Sequence, residues 1–205
     1  ETEDLSFPPD VVVRPGSTDE VSAIMKLASR EKIPVTPRGA GTGLSGGALA
    51  VFGGISLSMQ RMNRILEIDT GNLMAVVEPG VITEVLQIEA EKAGLYYPPD
   101  PASRGSCMMG GNVAENAGGP HAVKYGVTRD WVTGLTAVMP DGSVFSAGGK
   151  LRKDVSGYNL TQLLVGSEGT LAIITRIVVK LIPLPAHRRA LVACFEDVES
   201  AAKAV

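Results

Sequence analysis

Two hydrophobic periods alternate along the chain and divide it into short helices and strands. Val21, Ile24, Met25 and Ala28 recur at three- and four-residue steps, which predicts a helix from Ser17 to about Glu31. Ser17 and Glu20 have the spacing of a capping box, in which each satisfies an N–H group at the helix start. Short apolar runs flank it, Val11–Val13 and residues 33–36, so the opening reads as a small parallel strand–helix–strand unit. Further strands are expected at residues 55–59, at Ile65–Asp69 and at Met74–Val77. A second helix is expected from a Thr83 cap, with Ile82, Val85, Leu86 and Ala93 on one face and Gly94 as its C′ residue. Residues 131–139 are a long apolar run, and Pro140-Asp141-Gly142 turns it into a hairpin with Val144 and Phe145. Residues 171–182 alternate at Thr175, Ile177, Val179 and Leu181. Beyond Pro183 and Pro185 a strand is expected at residues 190–195, then a helix from Asp197 to Val205.

The segments between these elements carry the chemistry. Five of the eleven residues from Pro37 to Gly47 are glycine, and the only full charge among them is Arg38. Glycine packs nothing and carries the largest backbone entropy cost, so this run is neither helix nor inner strand. It can turn sharply and present bare N–H groups, with Thr42, Ser45 and Arg38 as further donors, which suits a diphosphate. A flexible linker is the competing reading, although a linker seldom separates two buried strands so early in a domain. Gly41 to Gly46 also fits GxGxxG, with Glu67 about 20 residues on, but no helix pattern opens behind the glycines. The P-loop pattern fails for want of Lys-Ser or Lys-Thr after Gly46 or Gly47.

A second glycine-rich stretch runs from Tyr97 to Gly126. Pro98, Pro99 and Pro101 fix an extended approach, and Gly110-Gly111 and Gly118-Gly119 bracket residues 112–117. So long a stretch without apolar periodicity implies a bound group, and Asn112 and Asn116 offer donor and acceptor pairs to the edge of a heterocycle. A third turn, from Gly166 to Leu171, leads into the last long strand, and Glu168 either accepts from a ribose hydroxyl or sits in solvent.

Composition narrows the partners. The chain has 205 residues, 44% hydrophobic and 20% charged, with net charge −3, which suits a globular domain and argues against nucleic acid. Two cysteines fit a reducing cytoplasm, and two histidines cannot build a multi-histidine metal site, so no metal is assigned. No apolar run reaches the about 18 residues of a membrane span.

PRGAGTGLSGG, PPDPAS, GGNVAENAGG, KYGVTRD, SGYNL and GSEGTL, in this order and at this spacing, resemble the FAD-binding domain of the vanillyl-alcohol-oxidase (PCMH-type) family. More narrowly they are similar to the branch holding the FAD-binding subunit of glycolate oxidase and the D-2-hydroxyacid (D-lactate) dehydrogenases. The resemblance covers nearly the whole chain. It implies an α+β fold of two subdomains, about residues 1–64 and 65–184, clasping FAD, with residues 185–205 beginning a truncated substrate domain. Pro37, Arg38, Gly39, Ala40, Gly41, Thr42, Gly43, Leu44, Ser45 and Gly46 would hold the diphosphate, with Pro79 and Gly80 also at the cofactor. Asp100, Pro101, Ser103, Ser106, Gly110 and Gly111 would run beside the diphosphate and isoalloxazine. Asn112, Glu115, Asn116, Ala117, Gly118 and Gly119 would line the flavin, and Glu168, Gly169, Ile173 and Ile174 the adenosine side. Several relatives place a flavin-linked histidine at the position of Thr42, so FAD here is expected to be non-covalent.

His121 is either a catalytic group near the flavin or a satisfied loop histidine. Cys107, Met108 and Met109 read as packing residues beside the cofactor. The implied activity is hydride transfer from glycolate or D-lactate to FAD, with electrons leaving to a quinone or an iron–sulfur subunit. It places the protein in the cytoplasm, at the inner membrane face through partner subunits. An NAD(P)H-fed reductase on the same fold and a Rossmann-type module are the alternatives. The substrate-holding groups, and with them turnover, are expected outside these 205 residues.

Overall fold

The computed structural model describes residues 5–187 and 189–204, so Glu1 to Asp4 of the expected first subdomain and Val205 of the expected last helix lie outside the described residues. Two sheets share one body. The first has three parallel strands, β1 (Val11–Val13), β2 (Val35–Arg38) and β3 (Ile55–Ser58), with β3 in the centre. Helix α1 (Thr18–Glu31) joins β1 to β2. The second sheet has five antiparallel strands, β4 (Ile65–Asp69), β5 (Met74–Val77), β7 (Val132–Val138), β8 (Val144–Gly148) and β9 (Ile173–Lys180), in the order β4-β5-β9-β7-β8. Helices α2 (Thr83–Lys92), α3 (Met109–Glu115), α4 (Ala122–Tyr125) and α5 (Leu160–Leu164) lie in the connections of that sheet. A two-stranded ribbon of β6 (Leu95–Tyr96) and β10 (Ile182–Pro183) closes it off, and α6 spans Val198–Ala204.

Ser17 caps α1 as expected, accepting the Glu20 N–H at 3.2 Å, but the Glu20 carboxylate reaches one residue further back, to the Gly16 N–H at 2.7 Å. Lys32 then turns left-handed (φ 57°), so β2 starts at Val35 rather than at residue 33. The α2 cap is Ile82, not Thr83, because the Thr83 hydroxyl turns inward toward Cys107. The buried face of α2 is correspondingly Thr83, Leu86, Gln87 and Ala90, while Val85 and Ile88 face water. Gln87 is buried because its amide holds the extended run after β6, donating to the Tyr97 and Pro99 carbonyls at 3.4 and 2.9 Å. The expected strand at residues 190–195 does not form. Leu191 and Val192 are exposed and no strand pairs with them among the described residues, and an apolar run alone cannot satisfy strand N–H groups.

The larger core lies between the five-stranded sheet and α2, α3 and α5, with Leu86, Tyr97, Met109, Val113 and Ile177 at its centre. A second core joins the sheets: Val21 and Ala28 of α1 and Leu57 of β3 pack on Val138 and Ile173 of the larger sheet. The β7–β8 turn docks against α1, where the Ser22 hydroxyl donates to the Gly142 carbonyl at 2.5 Å. That junction fixes the angle at which the two sheets face each other.

The two edges of the larger sheet are tied by charge. Lys150, just after β8, donates to Glu67 at 2.7 Å and to Asp69 at 2.8 Å, both on β4. Asp69 also accepts the Asn72 side-chain and backbone N–H groups at 2.8 and 2.9 Å. Those bonds, Asn72 first and Lys150 next, hold the Asp69 carboxyl well below its ordinary value of 3.8. A depressed carboxylate stabilises the fold above its unfolded-state value, and that contribution is lost as pH falls toward the folded-state value. Acid titration of the melting temperature should therefore show a loss beginning below about pH 4, and Asp69→Asn should melt lower at pH 7 while flattening that acid limb. An acid limb unchanged in Asp69→Asn would refute the assignment.

Candidate cofactor site

A cavity of about 600 Å³, a size typical of ligand sites, opens where the two sheets meet. Its first wall is the loop after β2. Among the described residues, none of the backbone N–H groups from Gly39 to Ala48 donates within the chain; the first to do so is Leu49, to the Gly46 carbonyl at 3.0 Å. Positive φ at Gly41 (75°) and Gly46 (82°) bends the loop so that these donors stay open. The Arg38 guanidinium folds back over the same loop, since a Cβ on Gly41 would lie 2.7 Å from its Nη2. No carboxylate pairs with Arg38 among the described residues. Open N–H donors beside an uncommitted cation form an anion cradle.

The far end of the loop has the opposite character. Ser45 Oγ donates to Glu115 Oε2 at 2.9 Å, and the Glu115 and Glu168 carboxylates lie 3.4 and 3.9 Å from a Cβ position on Gly47.

The second wall is α3, with both ends anchored by backbone bonds. Met109 and Gly110 N–H donate to the Val81 and Pro79 carbonyls at 2.8 and 2.7 Å. At the other end the Gly166 and Glu168 N–H groups donate to the Val113 and Ala114 carbonyls, both at 2.9 Å. This brings the turn before β9 against the loop, where a Cβ on Gly169 would lie 2.7 Å from Pro37 Cγ. The Pro79 turn is set from below by buried Glu78, which takes the Arg64 guanidinium at 2.7 and 3.2 Å and the Arg64 N–H at 2.8 Å. The Tyr97 hydroxyl, beside Cys107, is the one buried side-chain N or O atom without a partner among the described residues, and burial pushes its pKa up.

The structure brings most of the expected residues to this cavity. Residues 37–45 line it, as do Pro79, Pro101, Ser103, Gly110, Gly111 and Asn112. So do Glu115, Ala117, Glu168, Gly169, Ile173 and Ile174. Gly46 instead faces an adjoining cavity of about 630 Å³ behind Pro37 and Gly169. Asp100, Ser106, Asn116, Gly118, Gly119 and Gly80 stand off the lining. Asp100 pairs with Arg104 at 3.3 Å, and Ser106 bonds back to the Ser103 carbonyl. Asn116 caps α3 in the left-handed region, and its amide oxygen accepts the Arg129 N–H at 2.9 Å. Gly80 and Gly119 are required by close backbone approach: a Cβ would fall 2.5 Å from the Met59 carbonyl oxygen and 1.9 Å from that of Asp100. Sequence reasoning missed Met59, Ala114 and Ala172 on the lining. Recognising 109–115 as a helix would have found Ala114, one turn from Gly111.

His121 stands off the lining as well. Its Nδ1 is 3.1 Å from the Tyr96 hydroxyl and 3.2 Å from the Pro98 carbonyl, and its Nε2 is 3.7 Å from Asp100. These are the contacts of a histidine engaged by its own loop. Gly119→Ala, at φ 143° with no room for a methyl, should cost about 3 kcal/mol, a fall of roughly 6–12 °C in melting temperature. A melting curve superimposable on the parent's would contradict that close approach.

A family model described as an FAD binding domain matches residues 9–148. The chain is 50% identical over 197 residues to the glycolate oxidase subunit GlcD of Bacillus subtilis (strain 168), covering 96% of this chain and 42% of that protein. It is 48% identical over 191 residues to a D-lactate dehydrogenase of Anaerostipes hadrus, covering 93% and 40%. It thus spans about two-fifths of the length of these curated relatives. Among solved structures it superposes on alkyldihydroxyacetonephosphate synthase with a TM-score of 0.77 and 31% identity, covering 87% of this chain and 35% of that one. For 6-hydroxy-D-nicotine oxidase from Arthrobacter nicotinovorans the TM-score is 0.77 at 26% identity, covering 90% and 39%. The open donors of the loop, the uncommitted Arg38 and the apolar walls fit FAD, and the chain belongs to the FAD-binding domain family, with the α+β fold of the PCMH type.

Proposed function

We infer that this chain is the FAD-binding part of a flavoprotein dehydrogenase that oxidises a small 2-hydroxyacid, glycolate or D-lactate. The observation that carries the reading is the row of unpaired N–H donors from Gly39 to Ala48 facing an apolar-walled cavity, in a chain near half identical to proteins of those two names. When bound, FAD would supply the hydride acceptor for oxidation at a substrate α-carbon.

The chain's own residues bind and orient it. Arg38 and the Gly39 to Thr42 donors take the diphosphate, because Glu115 and Glu168 at the Gly47 end would repel it. Met59, Pro79 and Met108 supply apolar wall that excludes water. The first sheet ends at Ser58 and the second begins at Ile65, which supports two subdomains, up to about residue 64 and from 65 to 184, closing on the cofactor. Electrons then pass to a quinone or an iron–sulfur partner. No described helix is long and apolar enough to cross a membrane, so contact with one would come through such partners. Bleaching of the flavin by glycolate or D-lactate, but not by NADPH, tests the activity; bleaching by NADPH alone would select the reductase reading.

FAD is held without a covalent link. Thr42 occupies the loop, no histidine lines the cavity among the described residues, and the Cys107 sulfur is turned to Thr83 at 3.2 Å. Acid precipitation should leave the yellow colour in the supernatant, and colour retained in the pellet would overturn this.

Gly111 offers a sharper test of the site. A Cβ there meets nothing within 4 Å, and alanine is the better helix former by about 0.5–1 kcal/mol. Gly111→Ala should therefore melt no lower than the parent without cofactor, yet bind FAD at least tenfold more weakly, because its methyl enters the cavity. Unchanged FAD affinity would move the cofactor off this wall.

A further inference from the structure

Asn112 is the most deeply buried polar side chain on the cavity wall, 3% exposed. Its Nδ2 donates to Thr83 Oγ1 at 2.6 Å. Thr83 is fully buried, and its hydroxyl also lies 3.4 Å from the Cys107 carbonyl oxygen and 3.2 Å from Cys107 Sγ. A carbonyl oxygen only accepts, so the Thr83 hydrogen goes to Cys107 and a lone pair is left for Asn112. That sets the amide, with Nδ2 toward Thr83 and Oδ1 turned the other way. Among the described residues no donor of the chain reaches Oδ1. Oδ1 is not fully enclosed: it stays open to the cavity, an acceptor available to a group bound there.

The surroundings say what that donor is. Pro79, Cys107 and Met108 flank this part of the wall, apolar surface suited to the face of a flat ring. An acceptor here repels phosphate oxygens, which belong at the Arg38 end. We propose, building on the FAD reading, that Asn112 Oδ1 accepts a hydrogen bond from an N–H on the edge of a heteroaromatic ring of the cofactor. Thr83 is a positioning residue that acts through it. FAD carries two such edges, the isoalloxazine N3–H and the adenine amino group.

Calorimetric titration of the cofactor-free chain with FAD, FMN and ADP tests this. Asn112→Leu removes the oxygen at nearly constant volume and should weaken FAD about ten- to a hundredfold. If the isoalloxazine is the partner, FMN weakens with FAD and ADP does not. If the adenine is, ADP weakens and FMN does not. Either split supports the proposal and names the ring.

Thr83→Val keeps the side chain's shape but frees the amide to rotate, and should weaken the same pair of ligands by a smaller factor, about threefold to tenfold. FAD affinity within twofold of the parent in Asn112→Leu overturns the proposal, as does an equal loss for all three ligands. A fall in melting temperature with unaltered affinities in both variants assigns the pair a purely structural role and overturns it too. A parent chain that binds no flavin defeats the FAD reading itself; a parent that binds FAD beside unaffected variants defeats only the role of Asn112.

Discussion

The site depends on a helix that could not stand alone. Helix α3 has seven residues, two of them glycine, and so short a segment has no stability of its own in water. It exists because backbone groups from two other stretches bond to its ends: the Pro79 and Val81 carbonyls at the start, the Gly166 and Glu168 N–H groups at the finish. Each bond nets only about 0.5–1.5 kcal/mol. Together they fix the Pro79 turn, the helix and the turn before β9 as one rigid unit. The glycine loop then leans on that unit through Pro37 against Gly169 and Ser45 against Glu115. Loosening any one contact moves two walls of the cavity at once.

That dependence explains which parts of the site the sequence could reveal. The glycine clusters were visible as clusters, but composition cannot say which neighbour makes a given glycine necessary. Gly41 and Gly46 bend a loop with open donors, and Gly111 faces empty cavity. Gly80, Gly110 and Gly119 are glycine because another stretch of the same chain passes within 3 Å of where a Cβ would be. Both kinds look alike in sequence. The same limit applies to the asparagines: Asn112 and Asn116 lie four residues apart, yet one lines the cavity and the other caps the helix. Only the partners, Thr83 and the Arg129 N–H, distinguish them.

The framework was more legible, for a physical reason. β4 and β5 were readable to the residue because each is a short apolar run bounded by turn residues, a local signal, and the β7–β8 hairpin followed from its Pro-Asp-Gly turn. The errors fall where a non-local contact decides. Val85 was expected on the core face of α2, but Gln87 is needed inside to hold the run after β6, and the helix turns accordingly. Residues 190–195 have the apolar character of a strand without a neighbour to bond. Nor could the sequence show the open strand order β4-β5-β9-β7-β8, or that Lys150 ties its two edges.

The open donors of the loop carry a consequence for how the fold and its cofactor are coupled. From Gly39 to Ala48 the backbone makes no internal N–H bond among the described residues, so this segment contributes little to its own ordering. Its shape is imposed at the edges, by β2 entering and by Leu49 bonding back to Gly46. A bound diphosphate would supply partners to several donors at once, and Arg38 would add a charge-assisted one. Part of that gain must go to ordering the glycines, which lose more conformational freedom than any other residue. Affinity is therefore lower than the count of donors suggests, and binding stabilises the chain in proportion to the logarithm of cofactor concentration over Kd. A loop of more rigid residues would bind with less entropic cost, but side chains would occupy the space the phosphates need. Glycine resolves the conflict in favour of access, and α3 with its anchored ends supplies the rigidity that the loop lacks.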